Sequence, residues 1–353
     1  MLATFLAAHA MKERMSRQML ARSDVHGIGV GYHDPRNPKK GAAVIIYITS
    51  FSPTMIRISS TMAMRVKGKA VIVPVRFVKS GKMQAYVDYK KRIRPIPAGY
   101  SVGTTGGSGT VGLIVTNVPK ANQRYIFSNN HVLNPTNSSS FTEILQPGGA
   151  DNGRLGRDTV GRLYRYVKLQ KNKINRVDIA LAIPRANCLL SPRYATIGVL
   201  PGYVTTYRVG ERFKKVGRTS GLVNGVVDSI NTDIQIDYGD SIGMLNFKNQ
   251  TVIKGRKPLS LPGDSGSVWL RKADHYAAAV NFAGSSNGRI SVAFPVNWAM
   301  QIFGTQIARP DGSGCIKKVY TDKSPGAYAR QLTARELASL EIHTARSKKR
   351  KRT

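Results

Sequence analysis

Acidic residues are scarce in this chain. Nineteen Asp and Glu stand against 54 Lys and Arg, a formal net charge of +35 over 353 residues. That imbalance decides nothing about fold, but it draws a protein toward nucleic acid, other polyanions or anionic membrane surfaces. Cysteine is scarcer still, with Cys188 and Cys315 alone. Two thiols exclude a disulfide-rich scaffold, and no Cys-x-x-Cys pair offers zinc spacing; one disulfide or two free thiols both stay open. No stretch approaches the roughly 18 apolar residues of a membrane span. The apolar opening Met1 to Met11 lacks the basic lead and cleavage site of an export signal, so a cytoplasmic protein is expected. Gly29 and Gly31 lack the third glycine and following helix of a dinucleotide fingerprint. His9, His26, His33, His275 and His343 have no ligand-spaced partners. No cofactor and no metal is therefore expected. Asp237 and Asp240, flanking Tyr238-Gly239, read as a solvated loop rather than a calcium site.

What is present fits a globular protein of two domains. Hydrophobic residues make up 41% of the chain, enough for real cores, and 34 Gly with 17 Pro suit strands and turns. Residues 1–96 read as a small α+β module. An amphipathic helix of about twenty residues is followed by strand-like runs at Ile28–Tyr32, Ala42–Ile48, Ala70–Val75 and Met83–Tyr89. A basic, proline-marked join, Lys91 to Gly99, leads into residues 97–308. There short apolar runs alternate with Gly, Pro and Asn turns, the look of an all-β sandwich or barrel, with a first strand at Val111–Val115 and a closing helix at 295–303. Residues 309–353 read as a basic extension with a helix over Tyr328 to His343. It ends in Arg346-Ser-Lys-Lys-Arg-Lys-Arg352, a run of the kind that forms interaction tails.

Three segments carry chemistry. Gly263-Asp264-Ser265-Gly266 places a serine in a glycine-flanked turn ahead of the apolar run Val268-Trp269-Leu270. Upstream, the apolar run Tyr125-Ile126-Phe127 steps through Ser128-Asn129-Asn130 to His131. Between them, Asp178 opens the aliphatic run Ile179 to Ile183. A carboxylate at a buried strand edge must be hydrogen-bonded or it costs several kcal/mol, and an imidazole N–H is a natural partner. The order His, Asp, Ser is that of chymotrypsin, not of subtilisin or the α/β-hydrolases.

At these residues the chain resembles the chymotrypsin-fold, trypsin-like serine peptidases, nearest the bacterial trypsin-like and Deg-type branches. Ser128-Asn129-Asn130-His131-Val132 is similar to the histidine motif, and Val177-Asp178-Ile179-Ala180-Leu181 to the aspartate motif. Gly263-Asp264-Ser265-Gly266 is similar to the serine motif, although Ser267 stands where a second glycine is commoner. Val216-Gly217-Arg218-Thr219-Ser220-Gly221 with Gly225 resembles the strand and turn opening the second barrel. The resemblance covers roughly residues 100 to 305. It implies a mainly β, two-barrel domain carrying a serine endopeptidase, with Ser265 as nucleophile, His131 as general base and Asp178 fixing the imidazole. It also implies an oxyanion hole from the N–H groups of Gly263 and Ser265, with Asp264 steadying that loop through an unidentified partner. A substrate pocket walled by Asn281, Phe282, Ala283 and Gly284 and floored near Leu259 follows. Lys257 to Pro262 includes no acid to pair a buried cation, so small or apolar P1 residues are expected. A competing reading is a catalytically silent protease scaffold that holds nucleic acid or another polyanion on its basic surface and tail. Tyr164-Arg165-Tyr166 with Lys168 is its local hint.

Overall fold

The structure, a computed structural model, describes residues 2–50, 60–66, 69–80, 83, 87–239, 242–312, 316–318 and 328–346. Cys315, Asp240 and residues 347–353 of the basic tail lie outside them, as do residues 84–86 of the run at 83–89, whose described residues 83 and 87–89 are not strand. The chain divides into two units, Met1–Tyr86 and Val87–Thr353. The division falls before the basic join expected at residue 96, because Ile96–Ala98 is itself a strand paired with Leu190–Tyr194.

In the first unit, helix α1 (Phe5–Leu20) is opened by Thr4, whose hydroxyl accepts from the Ala7 N–H. Its Ala7, Ala8, Met11, Met15 and Met19 recur at helical spacing and are all buried. They pack against the strands β1 (Val25–Tyr32), β2 (Ala42–Ile48), β3 (Thr61–Val66) and β4 (Lys69–Lys79), which form one sheet in the order β1-β2-β4-β3.

The second unit is mainly β and carries two nine-stranded sheets. In the first, Leu113–Asn117, Arg124–Ser128, Ala180–Pro184 and Thr159–Val167 pair as an open path, antiparallel at each step. The strand expected at Val111–Val115 starts two residues later. In the second, six strands pair in a closed ring: Met244–Lys254, Gly221–Asp237, Arg212–Gly217, Val268–Arg271, Ala277–Gly284 and Ile290–Pro295. Gly221–Asp237 and Met244–Lys254 make a long hairpin that stays paired out to Asp237 and Met244. The closing helix, Val296–Phe303, is buried on nearly all sides.

The C-terminal segment departs from the helix expected over Tyr328 to His343. Only Ala334–Ala338 is helical, and Ile342–Thr344 is a strand alongside Thr159–Val167. The cause is local. Thr333 and Glu336 form a reciprocal capping box that starts the helix late, and the β-branched Ile342 and Thr344 favour the sheet edge.

Glu336 also anchors this segment. Its carboxylate accepts from Arg330 Nη1 at 2.7 Å and pairs with Arg176 Nη2 at 2.7 Å. Arg330 foremost, against the opposing effect of burial, holds the Glu336 carboxyl at about 2. A depressed carboxyl contributes stability that is present above its unfolded value and lost as pH falls through the folded one. Acid titration from about 4.5 to about 2 is therefore expected to loosen residues 328–346. Trp298, whose indole N–H donates to Arg330 O at 3.0 Å, should report it by fluorescence. Glu336→Gln should remove that transition; its persistence would assign it to another group.

Candidate active site

Pairing of Ala180–Pro184 with Arg124–Ser128 aligns Ala180 with Ser128. Asp178, two residues before that register, therefore meets the turn Asn130–Leu133 that carries His131. His131 Nδ1 donates to Asp178 Oδ2 at 2.5 Å. The other carboxylate oxygen accepts from the backbone N–H groups of Asn130, at 2.7 Å, and His131, at 3.2 Å. Asn129 Nδ2 donates to the Asp178 carbonyl at 2.6 Å. Asp178 is fully buried, whereas the imidazole side chain keeps 25% exposure, which leaves its outer edge to the cleft. Burial would raise the Asp178 carboxyl, but His131 and the hydrogen bonds outweigh it and hold it below the usual carboxylate range.

Asp178 has one more donor, from a place the sequence did not suggest. Tyr238, at the end of the long hairpin, donates its hydroxyl to Asp178 Oδ2 at 2.7 Å. Its ring stands edge-on to His131 at 5.5 Å and stacks on Phe247 at 6.1 Å. Burial and the neighbouring carboxylate push the phenol well above its ordinary value, so it stays a donor. In sequence, Tyr238 is one aromatic in a Gly/Asp turn; only the length of the hairpin brings it here. Asp237 Oδ1 accepts from the Gly239 N–H at the same tip. Among the described residues no cluster could hold a metal ion.

Ser265 lies in the tight turn before Val268–Arg271. Gly263 and Gly266 on either side have φ of +93° and +90°, the left-handed region that glycine tolerates. A Cβ on Gly266 would sit 2.1 Å from Ser128 Oγ. The turn is tied to the first sheet where Thr110 N donates to Ser265 O at 2.8 Å and Thr110 Oγ1 to Gly263 O at 2.9 Å. Within it, the N–H groups of Asp264, Gly266 and Ser267 are bonded to Leu261, Asn281 and Asp264 carbonyls. Those of Gly263 and Ser265 have no acceptor among the described residues. Two free amides flanking a serine make a donor pair for an oxyanion.

Asp264 anchors the turn from beneath. Its Oδ1 accepts from the N–H groups of Thr219, at 3.0 Å, and Ser220, at 2.9 Å, and its Oδ2 from Leu261 at 2.9 Å. Lys215 Nζ lies 3.4 Å from Oδ2, and both side chains are wholly buried. Nζ also donates to Ser220 Oγ at 3.2 Å and sits over the Trp269 ring at 5.4 Å. Burial alone would raise the Asp264 carboxyl; Lys215 and the amides hold it low instead. Lys215 is the unidentified partner. Its signal was present in the period of two, since Phe213 and Lys215 share a face of their strand and Phe213 is buried.

His131 and Ser265 line one cleft of 690 Å³. Ser265 Oγ donates to Phe282 O at 3.4 Å, and no hydrogen bond joins it to His131 among the described residues. Ser260, Leu261, Pro262, Phe282, Ala283 and Gly284 line the cleft, as do Tyr238 and Ile242 of the hairpin. Leu259, expected near the floor, packs instead in the core with Trp269 and Phe213. Asn281 lies behind the wall, its Oδ1 accepting from Ser260 Oγ at 3.0 Å and Ser291 Oγ at 2.6 Å. The space beside Gly284 is tight, for a Cβ there would meet Ser260 Oγ at 2.8 Å. Asp237 lines the cleft and is exposed to water.

The aromatic residues beside Arg165 are already occupied. Tyr164 stacks on Tyr125 at 5.2 Å, and buried Tyr166 stacks on His343 at 5.5 Å.

No protein-family model and no curated sequence matches this chain. Several solved structures do. The chain is similar to bacterial serine proteases. Thermobifida fusca protease A is 18% identical over 60% of this chain and 97% of its own, with a TM-score of 0.43. A Nocardiopsis protease is 21% identical over 60% and 97%, with a TM-score of 0.42. A glutamic-acid-specific serine protease is 20% identical over 60% and 98%, with a TM-score of 0.43. None of the described helices is long and apolar enough to cross a membrane.

Proposed function

We propose that the second unit is a serine endopeptidase of the chymotrypsin type, acting through an acyl-enzyme. The observation that carries this reading is the pairing of His131 with the buried Asp178 at 2.5 Å, on the same cleft as Ser265. Asp178 accepts from Nδ1, which leaves Nε2 of the neutral imidazole as the acceptor toward the cleft. His131 takes the Ser265 proton as Oγ attacks the scissile carbonyl, then returns it to the leaving amine. The free amides of Gly263 and Ser265 receive the developing oxyanion, each worth roughly 3 kcal/mol of transition-state stabilisation. The weak 3.4 Å bond of Ser265 Oγ to Phe282 O must break for the hydroxyl to turn to His131, as apo geometries commonly require.

The close approach of Gly284 and Ser260 favours small P1 side chains. Among the described residues Asp237 is the one acid lining the cleft, and it is exposed. A fluorophosphonate probe is expected to label Ser265 in the native chain and to fail with Ser265→Ala and His131→Ala. Peptides with Ala or Val at P1 should be cleaved at least tenfold more efficiently than those with Arg. Absence of labelling in the folded native chain would refute the peptidase; a preference for Arg would refute only the pocket.

A further inference from the structure

On the second sheet, away from Ser265, lies a groove of 920 Å³. Arg212, Lys254, Arg256, Lys257 and Lys272 line it, and among the described residues no acidic side chain does. Asp228 takes Lys254 at 2.8 Å. Glu211 belongs to an adjacent hollow with Arg212, Arg271 and Lys272. Arg212, Arg256, Lys257 and Lys272 form no ion pair among the described residues. Converging like charges repel one another and focus a positive potential into the concavity, a cost that an anionic occupant would offset. The base of the groove is apolar in part. Leu222 and Val226, at i and i+4 on one strand, share a face with Asn224 and are 48% and 42% exposed.

The occupant follows from that mixture. Among the described residues no exposed aromatic side chain lines the groove, so nucleic-acid bases would find nothing there to stack on. Exposed aliphatic side chains between cations instead match an extended peptide in which acidic and apolar residues alternate. The groove also adjoins the cleft along the chain. Pro258 lines the groove, whereas Ser260, Leu261 and Pro262 line the cleft. Four residue steps span no more than roughly 15 Å. We propose that this groove binds an acidic segment of the polypeptide substrate and so selects proteins carrying such a stretch near the cleaved bond. The substrate part of this inference rests on the peptidase reading.

The test has two arms. In the first, Ser265→Ala protein is titrated into a fluorescein-labelled ten-residue peptide of alternating Asp and Leu, and into its Asn/Leu counterpart. The acidic peptide should bind at least tenfold more tightly. That preference should vanish in Arg212→Glu/Arg256→Glu/Lys257→Glu/Lys272→Glu. It should survive the reversal of four exposed first-unit cations, Arg14→Glu/Arg17→Glu/Arg36→Glu/Lys39→Glu, which changes net charge equally. Equal loss in both variants would overturn the proposal as a general charge effect. Displacement by a single-stranded oligonucleotide at lower concentration than by unlabelled acidic peptide would overturn it in favour of nucleic acid. In the second arm, native protein cleaves substrates sharing one cleaved sequence, with an acidic or a neutral tail on either side. The acidic tail should lower KM at least fivefold in the native chain and not in the groove variant. Equal KM values would overturn the substrate role. Should no substrate be cleaved, the peptidase reading fails, and the first arm still decides the groove.

Discussion

Replacing Asp178 by asparagine is expected to lower kcat by roughly 10⁴ while leaving the fold in place. The carboxylate accepts from His131 Nδ1, from Tyr238 and from two backbone amides. An asparagine has one oxygen for those donors. With its oxygen on the amides of Asn130 and His131, its NH₂ faces the imidazole and makes Nδ1 an acceptor. Nε2 then carries the proton on the cleft side, and His131 cannot take one from Ser265. Steady-state kinetics on a peptide with Ala at P1, with circular dichroism as a control, checks this. A loss under tenfold would mean that Asp178 does not set the tautomer. Tyr238→Phe removes one donor to the same charge, and such bonds carry about 1.5–3 kcal/mol. Its expected loss is about 10- to 100-fold in kcat. Because the Asp178 carboxyl is held low, it contributes stability that is present above an unfolded value near 3.9 and is lost as pH falls from there through the lower folded value.

Lys215→Met is expected to cost about 3–5 kcal/mol of stability in the second unit. The pair is wholly buried, so removing the ammonium leaves Asp264 as an uncompensated charge in a low-dielectric interior. The effect on activity should exceed what unfolding explains, since Asp264 positions the turn that holds the free amides of Gly263 and Ser265. Urea titration gives the first quantity, and labelling of Ser265 under fully native conditions the second. Lys215→Met/Asp264→Asn should recover part of the lost stability, because it removes the stranded charge. A double variant no more stable than the single one would show that the penalty lies in packing against Trp269 instead.

His131, Asp178 and Ser265 stood out in the sequence because each sits at a local break in pattern. An apolar run ends at His131, a carboxylate opens an aliphatic run at Asp178, and two glycines bracket Asp264-Ser265. The helix of the first unit was legible for the same reason, its buried residues recurring every three to four positions. Tyr238 was not, because its partner lies 60 residues away and the reach of a hairpin is written in its pairing rather than its composition. The helix expected over residues 328–343 is shorter in the structure because a local capping box starts it late and pairing of Ile342–Thr344 with a distant strand ends it.

By itself the sequence determined the mainly β character of the second unit, its charge and the residue types available for chemistry, since periodicity and composition act locally. The tertiary structure alone decided that Tyr238 meets Asp178, which lysine is buried under Asp264, and that four cations with no ion pair among the described residues share one concavity. Those facts depend on strand register and ring closure, which join residues far apart along the chain.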